Sequence, residues 1–136
     1  MSAATDVPHG FTPLTGAGPF IDLAGPLHLD DESGALGARV EQRHLNVAGT
    51  AMGGFLATLV DAALGRSVRD VAEGDAQVAT VSLTTDYLRA APEGAWLEAR
   101  TEVERLGGRL AFADCSVTAD GEEVVRARAV FAVRTG

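Results

Sequence analysis

The residues best suited to chemistry lie within 44–65, and the most informative of them is Asp61. It directly follows the segment 55–60, in which Thr58 is the single polar residue. A carboxylate in a helix that is apolar on nearly every side must have a polar partner or a bound water, because burying it ionised and alone is very costly. Asp61 is therefore a candidate for chemistry.

Two glycines, Gly53 and Gly54, stand where this helix is predicted to begin. Backbone N–H groups in the first turn of a helix have no partner within the helix and lie at the positive end of its dipole. Because glycine has no side chain, a carbonyl group can approach this backbone closely, which makes it a candidate oxyanion site. The alternative is a glycine pair that only permits tight packing at the start of the helix.

Asp61 follows Gly53 at a distance of about 12 Å along the helix axis, given the rise per residue of an α-helix. A water held by the Asp61 carboxylate must lie about 3 Å from the carbon of a carbonyl group bound at Gly53. Asp61 and Gly53 of the same helix are too far apart to act on one carbonyl group. The spacing predicts a two-fold homodimer with composite sites, in which the acid comes from one chain and the glycine from the other. Asp61 would act as a general base on water or as a nucleophile that forms a transient anhydride. A buried aspartate that only caps a backbone group is the remaining alternative.

Other polar residues give weaker signals. Asn46 has both an amide donor and a carbonyl acceptor, which suits it to placing a water or a substrate oxygen opposite Asp61, although it is also an ordinary turn residue. His44 has no second His, Cys or acid at ligand spacing, so no metal site is predicted. The serines lack a Gly-x-Ser-x-Gly elbow, so a serine-hydrolase mechanism has no support.

Length and composition restrict the class of protein. The 136 residues are 46% hydrophobic, which predicts a single domain over 1–136 with a substantial core. A net charge of −8 argues against binding to nucleic acid or to an anionic membrane surface. The basic residues are all Arg, so mechanisms that need a lysine are excluded.

The single cysteine and the N-terminus bear on the compartment. Cys115 has no partner for an intramolecular disulfide and lies in an alternating run, so we expect a packed strand thiol in a reducing environment. The N-terminus lacks the pattern of a signal peptide, and no apolar run approaches the roughly 20 residues that cross a bilayer. We therefore expect a cytoplasmic protein.

The predicted elements are one long helix with short strands before it and longer strands after it. An irregular arm is predicted over 1–19, followed by a short helix over 19–23 and strands over 26–29 and 36–43. The long helix is predicted over 53–72. Four strands then span 76–89, 95–106, 109–119 and 123–134, with turn signals at 92–94, 107–108 and 120–121. This order predicts an α+β fold in which an antiparallel sheet, with a meander as its C-terminal half, wraps around one central helix.

The element order and the segment 44–65 together resemble the hotdog-fold acyl-CoA thioesterases of the phenylacetate-pathway type, the PaaI-like family. The family's motif positions are occupied in register by Asn46, Gly49, Gly53, Gly54 and Asp61, and the segment 80–89 resembles the family's strand that ends in Tyr-Leu-Arg. The resemblance implies a hotdog fold, a homodimer or a pair of dimers, and hydrolysis of an acyl-CoA thioester with an aromatic or medium-chain acyl group. It also implies that Thr80 hydrogen-bonds Asp61 or its water, where the alternative is an ordinary strand residue.

The resemblance also implies substrate contacts. Arg89 and Arg109 would lie at the mouth of the site and bind the phosphates of coenzyme A, with solvated surface charge as the alternative. Met52 and Phe55 would line an apolar acyl pocket beside Gly54. No cofactor is expected apart from the coenzyme A carried by the substrate.

Met52 departs from the family, because it stands where the family has the His of its His-Gly-Gly motif. A thioether cannot donate a hydrogen bond. The leading hypothesis is a thioesterase in which Asp61 activates water and the partner's Gly53 N–H holds the oxyanion; the alternative is an acyl-CoA-binding protein with weak or no catalysis. A hydratase ranks lower, since such an enzyme needs a paired His and acid and only the isolated His44 is present.

Overall fold

The computed structural model describes residues 6–72 and 74–134. Its seven strands form one antiparallel sheet in the order β1-β2-β3-β5-β6-β7-β4, so that β4 lies at an edge. A 3₁₀ turn over Gln42–His44 precedes the long helix. The strands and helices are β1 Phe11–Pro13, α1 Pro19–Ala24, β2 His28–Asp30, β3 Leu36–Arg39, α2 Gly53–Val71, β4 Gln77–Tyr87, β5 Trp96–Leu106, β6 Leu110–Ala119 and β7 Glu122–Arg134.

Helix α2 packs on one face of the sheet and forms the axis of the core. Its fully buried side chains lie on one stripe, which includes Leu59, Val60, Leu64 and Val68. Alternate residues of β6 face the helix and are buried, while the residues between them face outward, as the period of a strand requires. Each buried Leu or Val side chain contributes about 1.5–3 kcal/mol to the free energy of unfolding relative to an exposed one. This stripe therefore fixes the helix against the sheet. The predicted hotdog arrangement is confirmed.

The predictions for the long elements agree with the structure to within about two residues. The helix predicted over 53–72 is α2, and the four predicted C-terminal strands are β4 to β7. Asp120 and Gly121 form the predicted two-residue hairpin, with φ values of 48° and 88°. The predicted turn at 107–108 occupies three residues, and β6 begins at Leu110.

The predicted meander is wrong at its first strand. β4 pairs with β7, whereas β5 pairs with β3 and β6. The segment between β4 and β5 is a crossover instead of a hairpin, because it is held elsewhere: the Ala51 N–H donates to the Ala91 carbonyl, and Thr50 pairs with Pro92. The crossover leaves β4 at the free edge of the sheet, next to α2.

The N-terminal predictions need three corrections. The arm predicted over 1–19 contains the short strand β1, which pairs with β2; residues 1–5 lie outside the described residues. The strand predicted over 26–29 begins two residues later, as β2. The strand predicted over 36–43 ends at Arg39, because the His44 Nδ1 accepts a hydrogen bond from the Glu41 N–H and closes a 3₁₀ turn. The short helix predicted over 19–23 is confirmed as α1.

Cys115 is buried, at 4% exposure, as the alternating pattern predicts. Burial raises the pKa of this thiol to about 12, so it stays protonated at neutral pH and is a poor nucleophile. Within the described residues, no helix is both long enough and apolar enough to span a membrane.

Candidate functional site

Asp61 lies on the flank of α2, half-buried at the border between the core stripe and solvent. The Thr80 hydroxyl on β4 donates to its Oδ1 over 2.8 Å. This is the hydrogen bond that the family resemblance implies for Thr80. It fixes one carboxylate oxygen and leaves the other available to accept a proton.

The Asp61 carboxylate faces a cavity of about 710 Å³ between α2, the end of the sheet and the N-terminal arm. This volume is in the range of small-molecule sites. The arm contributes a largely apolar wall, and α2 contributes one continuous stripe from Thr58 to Arg69. The lining residues are Leu14, Thr15, Gly16, Ala17, Gly18, Phe20, Ile21, Thr58, Asp61, Ala62, Gly65, Arg66, Arg69, Val78, Thr80 and Phe131.

The start of α2 presents two backbone donors. Met52 occupies the N-cap position and makes no side-chain capping bond. Its carbonyl accepts from the N–H groups of Phe55 and Leu56, whereas those of Gly53 and Gly54 have no acceptor among residues 6–72 and 74–134. These two groups are the donors that the sequence predicts for an oxyanion.

Tyr87, at the end of β4, holds this turn in place. Its hydroxyl donates to the Gly53 carbonyl over 2.8 Å, and a Cβ added at Gly53 would lie 3.3 Å from the Tyr87 ring. The glycine therefore allows β4 to approach the helix start closely. Tyr87 was not among the predicted site residues, although it belongs to the Tyr-Leu-Arg motif that supported the resemblance.

A second cavity, of about 360 Å³, opens beside Gly53 and Tyr87. Asn46 lines it, but its amide is used within its own loop: Oδ1 accepts from the N–H groups of Ala48 and Thr50, and Nδ2 donates to the Thr50 hydroxyl. Asn46 thus shapes the loop that precedes the helix. Its predicted contact with a water or a substrate oxygen stays a prediction.

The predicted site residues divide between these two cavities. Asp61 and Thr80 line the larger cavity, whereas Asn46 and Gly53 line the smaller one. Tyr87 and Thr80, which anchor the two ends, contact α2 at points eight residues apart on the helix. One chain therefore does not bring the acid and the helix start into one site.

The predicted substrate-binding residues are more scattered. Met52 is 53% exposed beside the helix start, and Gly54 is exposed with open space around it. Phe55 lies in the core, where its ring stacks on His44 with the centroids 3.8 Å apart, and it lines neither cavity. The His44 ring covers one face of Phe55 in this chain, and the predicted contact of Phe55 with an acyl group stays a prediction.

The two predicted phosphate ligands lie at opposite ends of the sheet within one chain. Arg89 follows β4 beside the start of β7 and forms an exposed ion pair with Glu122 at 2.7 Å. Arg109 lies beside the end of β7, since its carbonyl accepts from the Val133 N–H. A shared mouth for both arginines requires residues from two chains.

The described residues contain no group of three or more His, Cys, Asp or Glu side chains arranged to hold a metal ion. Arg66 and Arg69, which were not among the predicted site residues, also line the cavity of Asp61. The available signal was their helical spacing from Ala62, the neighbour of Asp61, at i+4 and i+7.

A profile of the thioesterase superfamily matches residues 48–126, which is more than half of the chain and includes both cavity-lining parts of α2. The chain belongs to the thioesterase superfamily. Its antiparallel sheet around one long helix is the hotdog thioesterase fold, and its motif resembles that of the PaaI-like type.

Individual relatives agree with this family. A Pseudomonas aeruginosa protein that is provisionally named an esterase is 36% identical over 129 residues. The match covers 93% of this chain and 96% of the Pseudomonas protein. A hypothetical thioesterase of Streptococcus pneumoniae, solved with coenzyme A, is 25% identical with a TM-score of 0.69, covering 74% and 77% of the two chains. A phenylacetic acid degradation-related protein of Ralstonia eutropha is 26% identical with a TM-score of 0.71, covering 89% and 92%.

Proposed function

We propose that this hotdog thioesterase hydrolyses acyl-CoA thioesters with an aromatic or medium-chain acyl group, at composite sites of a homodimer. The observation that carries the proposal is the separation of the site: the Asp61–Thr80 pair and the Gly53 N–H face different cavities of one chain. The coenzyme A bound to the S. pneumoniae relative supports the substrate class.

The free edge of β4 supports a two-fold pairing. This strand is 11 residues long, and Val81 and Tyr87 are 61% and 51% exposed on it. Long edge strands with exposed apolar side chains are normally covered by a partner. Gly53 contacts the Tyr87 end of β4 and Asp61 contacts Thr80 nearer its start. In an antiparallel pair of β4 strands, the Tyr87 end of the partner's strand lies opposite the Thr80 end of the first strand. The start of the partner's α2 is thereby placed near Asp61.

In such a site the thioester carbonyl oxygen is bound by the partner's Gly53 N–H. As a general base, Asp61 takes a proton from a water whose oxygen bonds to the carbonyl carbon, and the oxyanion develops against the N–H donor. The C–S bond then breaks, and the sulfur of coenzyme A leaves with the bonding electrons and takes up a proton. Direct attack by Asp61, followed by hydrolysis of the anhydride, uses the same groups. Cytoplasm is the proposed location, since it keeps Cys115 reduced.

Purified wild-type protein tests this proposal. We expect steady-state release of free coenzyme A from hexanoyl-CoA or phenylacetyl-CoA, and a dimer or a pair of dimers by analytical ultracentrifugation. A monomer that hydrolyses thioesters would contradict the composite site. A protein that binds these thioesters without releasing coenzyme A would be the acyl-CoA-binding protein suggested by Met52 at the position of the family's His, and the enzyme proposal would be abandoned.

A further inference from the structure

Two arginines, Arg66 and Arg69, line the same cavity as Asp61 and Thr80. They lie three residues apart on α2, which places both on the helix stripe that also carries Asp61 and Ala62. Neither guanidinium is within ion-pair distance of a carboxylate among residues 6–72 and 74–134. The cavity thus combines an acid with two arginines that form no ion pair within the described part of the chain.

Two arginines without an ion pair in one cavity are unusual for an acidic chain with a net charge of −8. Most of the other arginines are already engaged: Arg39 lies over the Trp96 ring and the ion-paired ones are Arg43, Arg89, Arg100, Arg126 and Arg128. Arg105, Arg109 and Arg134 lie outside these pairs, but they line neither of the two cavities. Guanidinium groups bind carboxylates and phosphates through parallel N–H donors, so this corner of the cavity suits an anion.

The position of the arginines favours an anion on the acyl side of the thioester. The Cα atoms of Arg66 and Arg69 lie about 7.5 and 12 Å beyond that of Asp61 along the axis, and helical side chains point back toward the N-terminus, which brings both guanidinium groups nearer to Asp61. The phosphates of coenzyme A are farther from the thioester carbonyl. Its pantetheine arm has the length of about four extended residues, or about 14 Å.

The same cavity also has an apolar wall. Leu14 of the N-terminal arm and Phe20 and Ile21 of α1 line it, and Phe20 is 63% exposed in this chain. An acyl chain whose middle is made of methylene groups and whose end is charged matches this combination of surfaces. A fully apolar chain would make no contact with the two positive charges.

On the basis of the proposed function, we infer that Arg66 and Arg69 bind a carboxylate at the far end of the acyl group, so that the preferred substrates are medium-chain acyl-CoA thioesters of dicarboxylic acids. The two arginines determine specificity and do not touch the reacting carbonyl. Their contribution is therefore measured as a ratio between a charged and a neutral acyl chain of equal length.

The test compares kcat/KM for adipoyl-CoA and hexanoyl-CoA. We expect the wild type to favour adipoyl-CoA by about tenfold or more, as a charge-assisted bidentate contact allows. The double variant Arg66→Gln/Arg69→Gln should lower this ratio at least tenfold. The matched control Arg100→Gln/Arg126→Gln removes the same charge from the outer face of the sheet. It changes the long-range attraction of the anionic substrate by a similar amount but leaves the cavity intact, so it should leave the ratio unchanged.

Two results would overturn the inference: a wild-type ratio near one, or an equal loss for both substrates in the double variant, which would assign the arginines to the phosphates of coenzyme A. Binding separates this inference from the proposed function. Calorimetric Kd values measured on Asp61→Asn protein, with and without the arginine substitutions, give the same ratio without turnover. An arginine-dependent Kd ratio in a protein that hydrolyses neither substrate would support the anion subsite while rejecting the thioesterase activity.

Discussion

Replacing Asp61 with Asn should lower kcat for acyl-CoA hydrolysis by about 10²- to 10⁴-fold, the usual range for the loss of a general base. Asn keeps an oxygen that can accept the Thr80 hydrogen bond, so the geometry of the α2–β4 contact should survive. Its amide cannot take a proton from water. Free coenzyme A is the quantity to measure, in single-turnover as well as steady-state assays.

Asp70→Asn is the matched control for this variant. Asp70 is an exposed carboxylate of the same helix and lines neither cavity, so its removal changes the net charge equally without touching the site. Equal rates for wild type and Asp61→Asn, with ligand binding retained, would show that Asp61 only supports the structure.

A second large effect is expected at Gly53, where substitution by Pro removes the backbone N–H group. Gly53 is the first residue of α2, a position at which Pro is favoured because its φ is already helical. Met52 has a φ of −59° and a ψ of 134°, which is the conformation that a residue before Pro prefers. We therefore expect Gly53→Pro to fold normally and to lose the oxyanion donor.

Gly53→Ala is the control, because it adds the same Cβ beside the Tyr87 ring and keeps the N–H group. Relative to this control, Gly53→Pro should lower kcat by about 10²- to 10³-fold, as the loss of one oxyanion donor does. Circular dichroism and thermal unfolding check that both variants are folded. Comparable kcat values for the Pro and Ala variants, with the Ala variant retaining measurable activity well above background, would exclude the Gly53 N–H as the oxyanion donor.

The sequence was sufficient for the elements whose periodicity is strong. Helix α2 and strands β4 to β7 carry long regular patterns that tertiary contacts reinforce, and the turn at Asp120 and Gly121 follows from local backbone preference. The short strand β1 has no such pattern, because Phe11, Thr12 and Pro13 are too few to alternate. The edge position of β4 is also invisible locally, since strand order depends on a crossover held by contacts with Thr50 and Ala51.

The site was predictable only in part, because several of its contacts join residues of different elements. The spacing of Gly53 and Asp61 on one helix fixes their separation, and that separation is enough to argue for a second chain. The contact of Asp61 with Thr80 joins residues of different elements, and it was expected from the family resemblance instead of from spacing. The Tyr87 anchor and the packing of Phe55 on His44 depend on how β4 and the 3₁₀ turn dock against α2, which no local pattern records.

Complementation between two inactive variants tests the composite site most directly. Asp61→Asn and Gly53→Pro protein, unfolded together and refolded at equal concentration, should form mixed dimers in which one site has both an intact Asp61 and an intact Gly53. With random assortment, half of the dimers are mixed and each has one intact site of two, so we predict about a quarter of wild-type kcat. Activity that stays at the level of the separate variants, in a sample shown to contain mixed dimers, would contradict an active site shared between two chains.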